Sequence, residues 1–125
     1  MKKKIISFLI SLIIIIGLLP AAVFAQENYG LYVNGEQFTS EKLTVACGGG
    51  TATYDPGTKT LTLNNATITN GGKSDESPKY GIRVVGDGNL TIKLIGTNII
   101  SLANGGGIFA DGSSNDFKIT GNGKL

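Results

Sequence analysis

The feature that most constrains this chain is a set of short apolar strands, punctuated by glycine, that return at a nearly fixed interval. Within 81–102, Leu90, Ile92 and Leu94 alternate with Thr91 and Lys93, and glycines at 81, 86, 88 and 96 divide the run. Strict alternation over a few positions is the signature of a half-buried strand. Gly81-Ile82 returns as Gly107-Ile108 at an offset of 26, and Leu90-Thr91-Ile92 returns as Phe117-Lys118-Ile119 at an offset of 27. Gly96 maps onto Gly123 at the same spacing of 27, and Asp87-Gly88 corresponds to Asp111-Gly112. Upstream, Leu61-Thr62-Leu63 precedes Leu90-Thr91-Ile92 at an offset of 29. Periods of roughly 20 to 50 residues point to stacked repeats. The expected fold is therefore all-β, a solenoid in which Ile82 lies over Ile108 and Ile92 over Ile119. A β-meander or sandwich competes with it, because Asp87-Gly88 also suits a hairpin turn. Helical spacing is absent from the chain after its leader.

Residues 1–25 read as that leader. Lys2, Lys3 and Lys4 precede an apolar run, Ile5 to Leu19, interrupted only by Ser7, Ser11 and Gly17. Val23-Phe24-Ala25 then offers the small residues that a signal peptidase accepts, so cleavage before Gln26 is expected. The run falls short of the roughly 20 apolar residues that span a bilayer. Removing the leader takes three of the eleven basic residues and none of the nine acidic ones, which turns the formal charge from +2 to −1. Such a chain lacks the basic footprint of a nucleic-acid binder. The expected address is secreted or cell-surface, with no membrane contact beyond the leader.

Residues 26–59 read as an antiparallel hairpin cap. Leu31 to Val33 and Glu36 to Phe38 flank Asn34-Gly35, a dipeptide suited to a two-residue turn. Leu43 to Cys47 closes on Gly48-Gly49-Gly50, and Thr51 to Tyr54 connects through Asp55-Pro56-Gly57-Thr58 to Lys59–Leu63. Pro56 and Gly57 at the central positions favour a type II or related turn. Residues 60–125 would form the coils, with 70–79 bulging from the stack and the last coil incomplete. Further coils of a longer parent chain are expected. Cys47, the single cysteine, shares a face with Leu43 and Val45 and reads as a buried hydrophobe.

The run Tyr54 to Ile68, with Gly81-Ile82 and Gly88 to Asn98, resembles the β-helical modules of large secreted or surface proteins of Gram-positive bacteria. That resemblance implies a right-handed parallel β-helix shaped like the pectate lyases, in adhesin-like or carbohydrate-binding proteins. It brings no catalytic residues with it.

Chemistry narrows quickly. With no histidine, Ser-His-acid and Cys-His catalysis and histidine-ligated zinc are excluded. What remains is Arg83 with Asp87 and Asp111, a set that suits a Ca²⁺ site beside a basic side chain, as in a polysaccharide lyase. The alternative is that each aspartate simply opens an Asp-Gly corner. Tyr32, Tyr54 and Tyr80 are candidate sugar-stacking platforms, and Asn65 and Asn89 stand in glycosylation sequons that read as strand corners. The expected function is a non-catalytic module for adhesion or polysaccharide binding, with Tyr54, Tyr80 and Arg83 as ligand contacts. A degenerate or truncated lyase and a purely structural spacer are the alternatives.

Overall fold

The computed structural model describes residues 25–71, 79–86, 89–111 and 116–125. All but the last residue of the expected leader, most of the expected bulge at 70–79 and the Asp87-Gly88 corner lie outside these residues. Eleven strands occupy the described part: β1 (Asn28–Val33), β2 (Glu36–Thr39), β3 (Thr44–Cys47), β4 (Gly50–Asp55), β5 (Thr60–Asn64), β6 (Thr67–Ile68), β7 (Lys79–Val85), β8 (Leu90–Ile95), β9 (Ile99–Ile100), β10 (Gly105–Asp111) and β11 (Phe117–Gly121). They form three sheets, ordered β10-β7-β1-β2, β11-β8-β5-β4-β3 and β6-β9.

All-β holds, but the right-handed parallel β-helix and the repeat behind it are corrected. Both larger sheets are mixed. β1 runs antiparallel to β2 and to β7, and β3–β4 and β4–β5 are antiparallel as well. Among the described strands, parallel pairing is confined to β7–β10, β8–β11, β5–β8 and β6–β9. Ile82 does sit opposite Ile108, and Ile92 opposite Ile119. These are local strand registers rather than one period, because Leu61 faces Ile92 and Thr67 faces Ile99, offsets of 31 and 32. The sequence match that placed Leu61 against Leu90 is thus slipped by two positions. An even slip keeps every side chain on its own face, which is why alternation could not reveal it.

The turns explain much of the antiparallel half. Asn34 and Gly35 both take positive φ, 54° and 79°, the pair of conformations that a type I′ hairpin requires. Asn34 then ties three further strands' ends to that turn. Its side-chain oxygen accepts the N–H groups of Thr69 and Asn70, its amide donates to the Ala46 carbonyl, and its own N–H donates to the Gly81 carbonyl. Cys47 pairs with Gly50 across Gly48-Gly49, with φ +63° at Gly48. The expected type II turn at Pro56-Gly57 is replaced by a longer loop. Asp55 pairs with Thr60, the Asp55 carboxylate accepts the Gly57 N–H at 2.9 Å, and the positive φ falls on Lys59 at 51°. The Asp side chain supplies the turn's bond itself, so Gly57 needs no left-handed conformation.

One apolar core joins the sheets. Across the five-stranded sheet, Tyr54, Leu61, Ile92 and Ile119 form one inward row, and Val45, Ala52, Leu63 and Leu94 form another. Leu31, Val33 and Phe38 face them from the four-stranded sheet, with Ile68 and Ala66 closing the side. Burial is complete at Leu61, Ile92 and Phe38 but falls away on edge strand β11, where Ile119 is 48% exposed.

Cys47 is a free thiol within this core, fully buried. Burial pushes its pKa up from the ordinary value, opposed in part by the Ala52 backbone N–H. A folded-state pKa above the unfolded one means that the stabilisation is complete below the unfolded thiol's range, about pH 8.5, and is lost as pH rises through the folded value. Wild-type protein should therefore resist iodoacetamide at pH 8 unless urea is present, and should lose stability on further alkalinisation. Cys47→Ala should cost about 1–2 kcal/mol at neutral pH and flatten that alkaline dependence in denaturant titrations. Rapid alkylation of the native protein would contradict a buried thiol.

Candidate ligand-binding face

The inward residues of the four-stranded sheet determine which side chains are left on its outside. Leu31 and Val33 are buried, so Tyr32 between them points away from the core. Ile82 and Val84 do the same for Arg83, and Ile108 and Ala110, packed against the core, do it for Phe109. Gln37 precedes the buried Phe38. The register then aligns these four: Phe109 opposite Arg83, Arg83 opposite Tyr32, and Tyr32 opposite Gln37. A single row crosses the sheet, aromatic, cationic, aromatic and amide in turn. With strands about 4.8 Å apart, Phe109 and Tyr32 stand roughly 10 Å apart on either side of the guanidinium-bearing strand.

Tyr80 extends the row. Its ring stacks on that of Phe109, with centroids 4.6 Å apart and planes 21° from parallel. Gly106, opposite Tyr80 on β10, makes this possible, because a Cβ there would lie 2.6 Å from two atoms of the tyrosine ring. Any larger residue at 106 would force the Tyr80 ring to shift. Phe109, Arg83, Tyr32, Gln37 and Tyr80 are all half-buried, so each is braced by neighbours while keeping a face toward solvent.

The structure thus brings Tyr80, Arg83 and Tyr32 together and separates them from Tyr54. Tyr54 is 7% exposed, and its ring packs against Tyr29 at 5.4 Å and edge-on to Phe38 at 6.1 Å. It is a core residue, not an outer platform. Asp111 is exposed at the end of β10, opposite Val85, while Asp87 lies outside the described residues. Among the described residues, no three His, Cys, Asp or Glu side chains are close enough to hold a metal ion.

Phe109 and Gln37 escaped sequence reasoning. Phe109 had a signal, since it follows Arg83 at the same offset that pairs Ile82 with Ile108. The asparagine corners are structural. Asn65, at φ 49°, accepts the Thr97 N–H, and Asn89 accepts the Asp116 N–H.

Comparison of the chain with protein-family models, with curated proteins and with solved structures finds no match. The resemblance to β-helical surface modules therefore has neither the sheet topology nor a matching family behind it.

Chemically, the face offers two stacked rings, a third ring two strands away, a guanidinium between them and an amide at the end. It can hold a hydroxyl-rich ring by its C–H face and fix its orientation by hydrogen bonds.

Proposed function

We propose that this chain is an exported, non-catalytic module that binds an extended polysaccharide across the outer face of the four-stranded sheet. The observation that carries this reading is the aligned row of Phe109, Arg83, Tyr32 and Gln37, with Tyr80 stacked beside it. Scattered exposed tyrosines on a sheet would say little. A register-aligned row is different, because it repeats contacts along a line, and a polymer is a ligand that can occupy a line. The spacing between Phe109 and Tyr32 is on the scale of two hexose units, which leaves Arg83 to donate to the hydroxyl or carboxylate groups between them. The export leader supports meeting such polymers outside the cell.

Retardation in native gels containing soluble wall, plant or mucin polysaccharides tests the proposal. Wild type should be retarded by at least one polymer. Tyr80→Ala and Phe109→Ala should each weaken binding roughly 3- to 10-fold, since an aromatic stack contributes about 0.5–1.5 kcal/mol. Arg83→Ala should weaken it further. Silence on every polymer, or retardation unchanged in the triple variant, would overturn the assignment.

A further inference from the structure

We propose that a cleft beside this face is a second site, one that takes the end of a glycan chain. The inference rests on the polysaccharide reading of the outer face. Its own support is a separate piece of geometry. The β1–β2 register shifts between Asn28 and Tyr32, where Gly30 takes φ +65°. Such a bulge bends its strand and re-aims the neighbouring side chains. Pairing of β1 with β7 starts only at Leu31 and Val84, so Asn28 to Gly30 leave the ladder beside Val85 and Gly86. Gly30 still passes close enough that a Cβ would lie 2.6 Å from the Val85 carbonyl oxygen. Glycine is therefore what lets the chain part from β7 at that point, and the parting opens a cavity of about 520 Å³. That volume is within the roughly 300–1,000 Å³ of small-molecule sites.

The lining selects the ligand class. Tyr29, half-buried and backed by the core Tyr54 ring 5.4 Å away, gives an aromatic wall, while Asn28, Lys59 and Asn89 supply separated polar groups. Asn28 already accepts the Gly30 N–H through its oxygen, so its amide nitrogen is the atom that can serve a ligand as donor. A purely apolar ligand would strip water from the Asn28 amide nitrogen without replacing it. A nucleotide would call for several cations around its phosphates, and Lys59 is the one cationic residue among the described residues that line the cleft. A sugar ring satisfies both surfaces, with C–H groups on the Tyr29 ring and hydroxyls toward the polar rim. Tyr32, a member of the outer row, also lines the cleft. A glycan lying on the face can therefore continue into the cleft with its terminal one or two units.

Backbone amide NMR of the ¹⁵N-labelled mature chain tests this, titrating glucose, galactose, mannose, N-acetylglucosamine and their common disaccharides. The expected result is saturable shifts at Gly30, Tyr54 and Gly86 with at least one of these sugars. Asn28→Ala and Lys59→Asn, the latter keeping a residue that tolerates positive φ, should each weaken that binding about tenfold. Polymer retardation that depends on Tyr80, with no sugar perturbing those three amides, overturns the cleft and leaves the face. Cleft shifts with no polymer retardation keep the cleft and overturn the face. Absence of both overturns both.

Discussion

Asn98→Leu is expected to lower unfolding stability by about 2–3 kcal/mol, the cost of stranding a buried donor. Asn98 is 2% exposed and sits where β8, β9 and the corner before β6 converge. Its side-chain oxygen accepts the N–H of the fully buried Ala66 at 2.8 Å, and its amide donates to the carbonyls of Ile95 and Lys124, both at 3.2 Å. The two carbonyls keep other partners, since Ile95 accepts from the Asn65 N–H and Lys124 from the Asn98 N–H. The Ala66 N–H bonds to the side chain itself, deep in the core, so the loss concentrates there. Leucine keeps the branched shape of asparagine and leaves no cavity, which makes the effect a polar one. Asn98→Asp separates the two halves of the argument. A carboxylate keeps the acceptor for Ala66 but faces two carbonyl oxygens while buried, which raises its pKa above that of the unfolded chain. Its stability should then be nearest wild type at pH 4 and fall as pH rises through the folded pKa. The leucine variant should show no such added slope. Urea midpoints measured from pH 4 to 8 check both, and a leucine variant within about 0.5 kcal/mol of wild type would refute the capping role.

What was legible in the sequence follows from what alternation and turn chemistry encode. Leu90, Ile92 and Leu94 alternate with polar residues because one face of β8 is buried, and that face survives any even slip of register. Asn34-Gly35 was readable because few dipeptides accept two positive φ values in succession. Strand direction was not readable. Alternation is the same for parallel and antiparallel neighbours, so Leu31 to Val33 gave no sign that β1 would lie antiparallel beside β7. The spacing from Ile82 to Ile108 was real as a pairing, yet offsets of 31 and 32 elsewhere show that it is not the repeat of a uniform coil. The candidate face was half legible. Tyr80 reads from the sequence as a stacking platform and Arg83 as a basic ligand contact, but only the register places Phe109 and Tyr32 on either side of Arg83. Tyr54 misled because an aromatic between polar neighbours on a strand reads the same whether its face looks into the core or out of it.

Gly50→Ala is expected to be strongly destabilising. Gly50 closes the β3–β4 hairpin opposite Cys47, and a Cβ there would overlap the carbonyl oxygens of both Asn64 and Asn65. Neither oxygen can retreat as a side chain would. Asn64 is held by its pairing with Thr51 and Ile95, and Asn65, already at φ 49°, donates its N–H to Ile95 and accepts the Thr97 N–H through its side chain. Relief requires the end of β5 to move off β4, which breaks the ladder in the centre of the five-stranded sheet. Overpacking a well-filled interior costs about 1–3 kcal/mol when side chains can adjust, so a clash with two anchored carbonyls should reach or exceed the upper end. For a folded part of about 100 residues, a loss of about 3 kcal/mol lowers Tm by roughly 12 °C or more. Gly49→Ala is the matched control, because a Cβ at Gly49 meets nothing within 4 Å. It should stay within about 0.5 kcal/mol of wild type. Parallel thermal melts decide the matter: similar, small shifts for both variants would mean that β4 and the Asn64-Asn65 corner are not in the close approach described, and the packing that positions the whole five-stranded sheet would have to be redrawn.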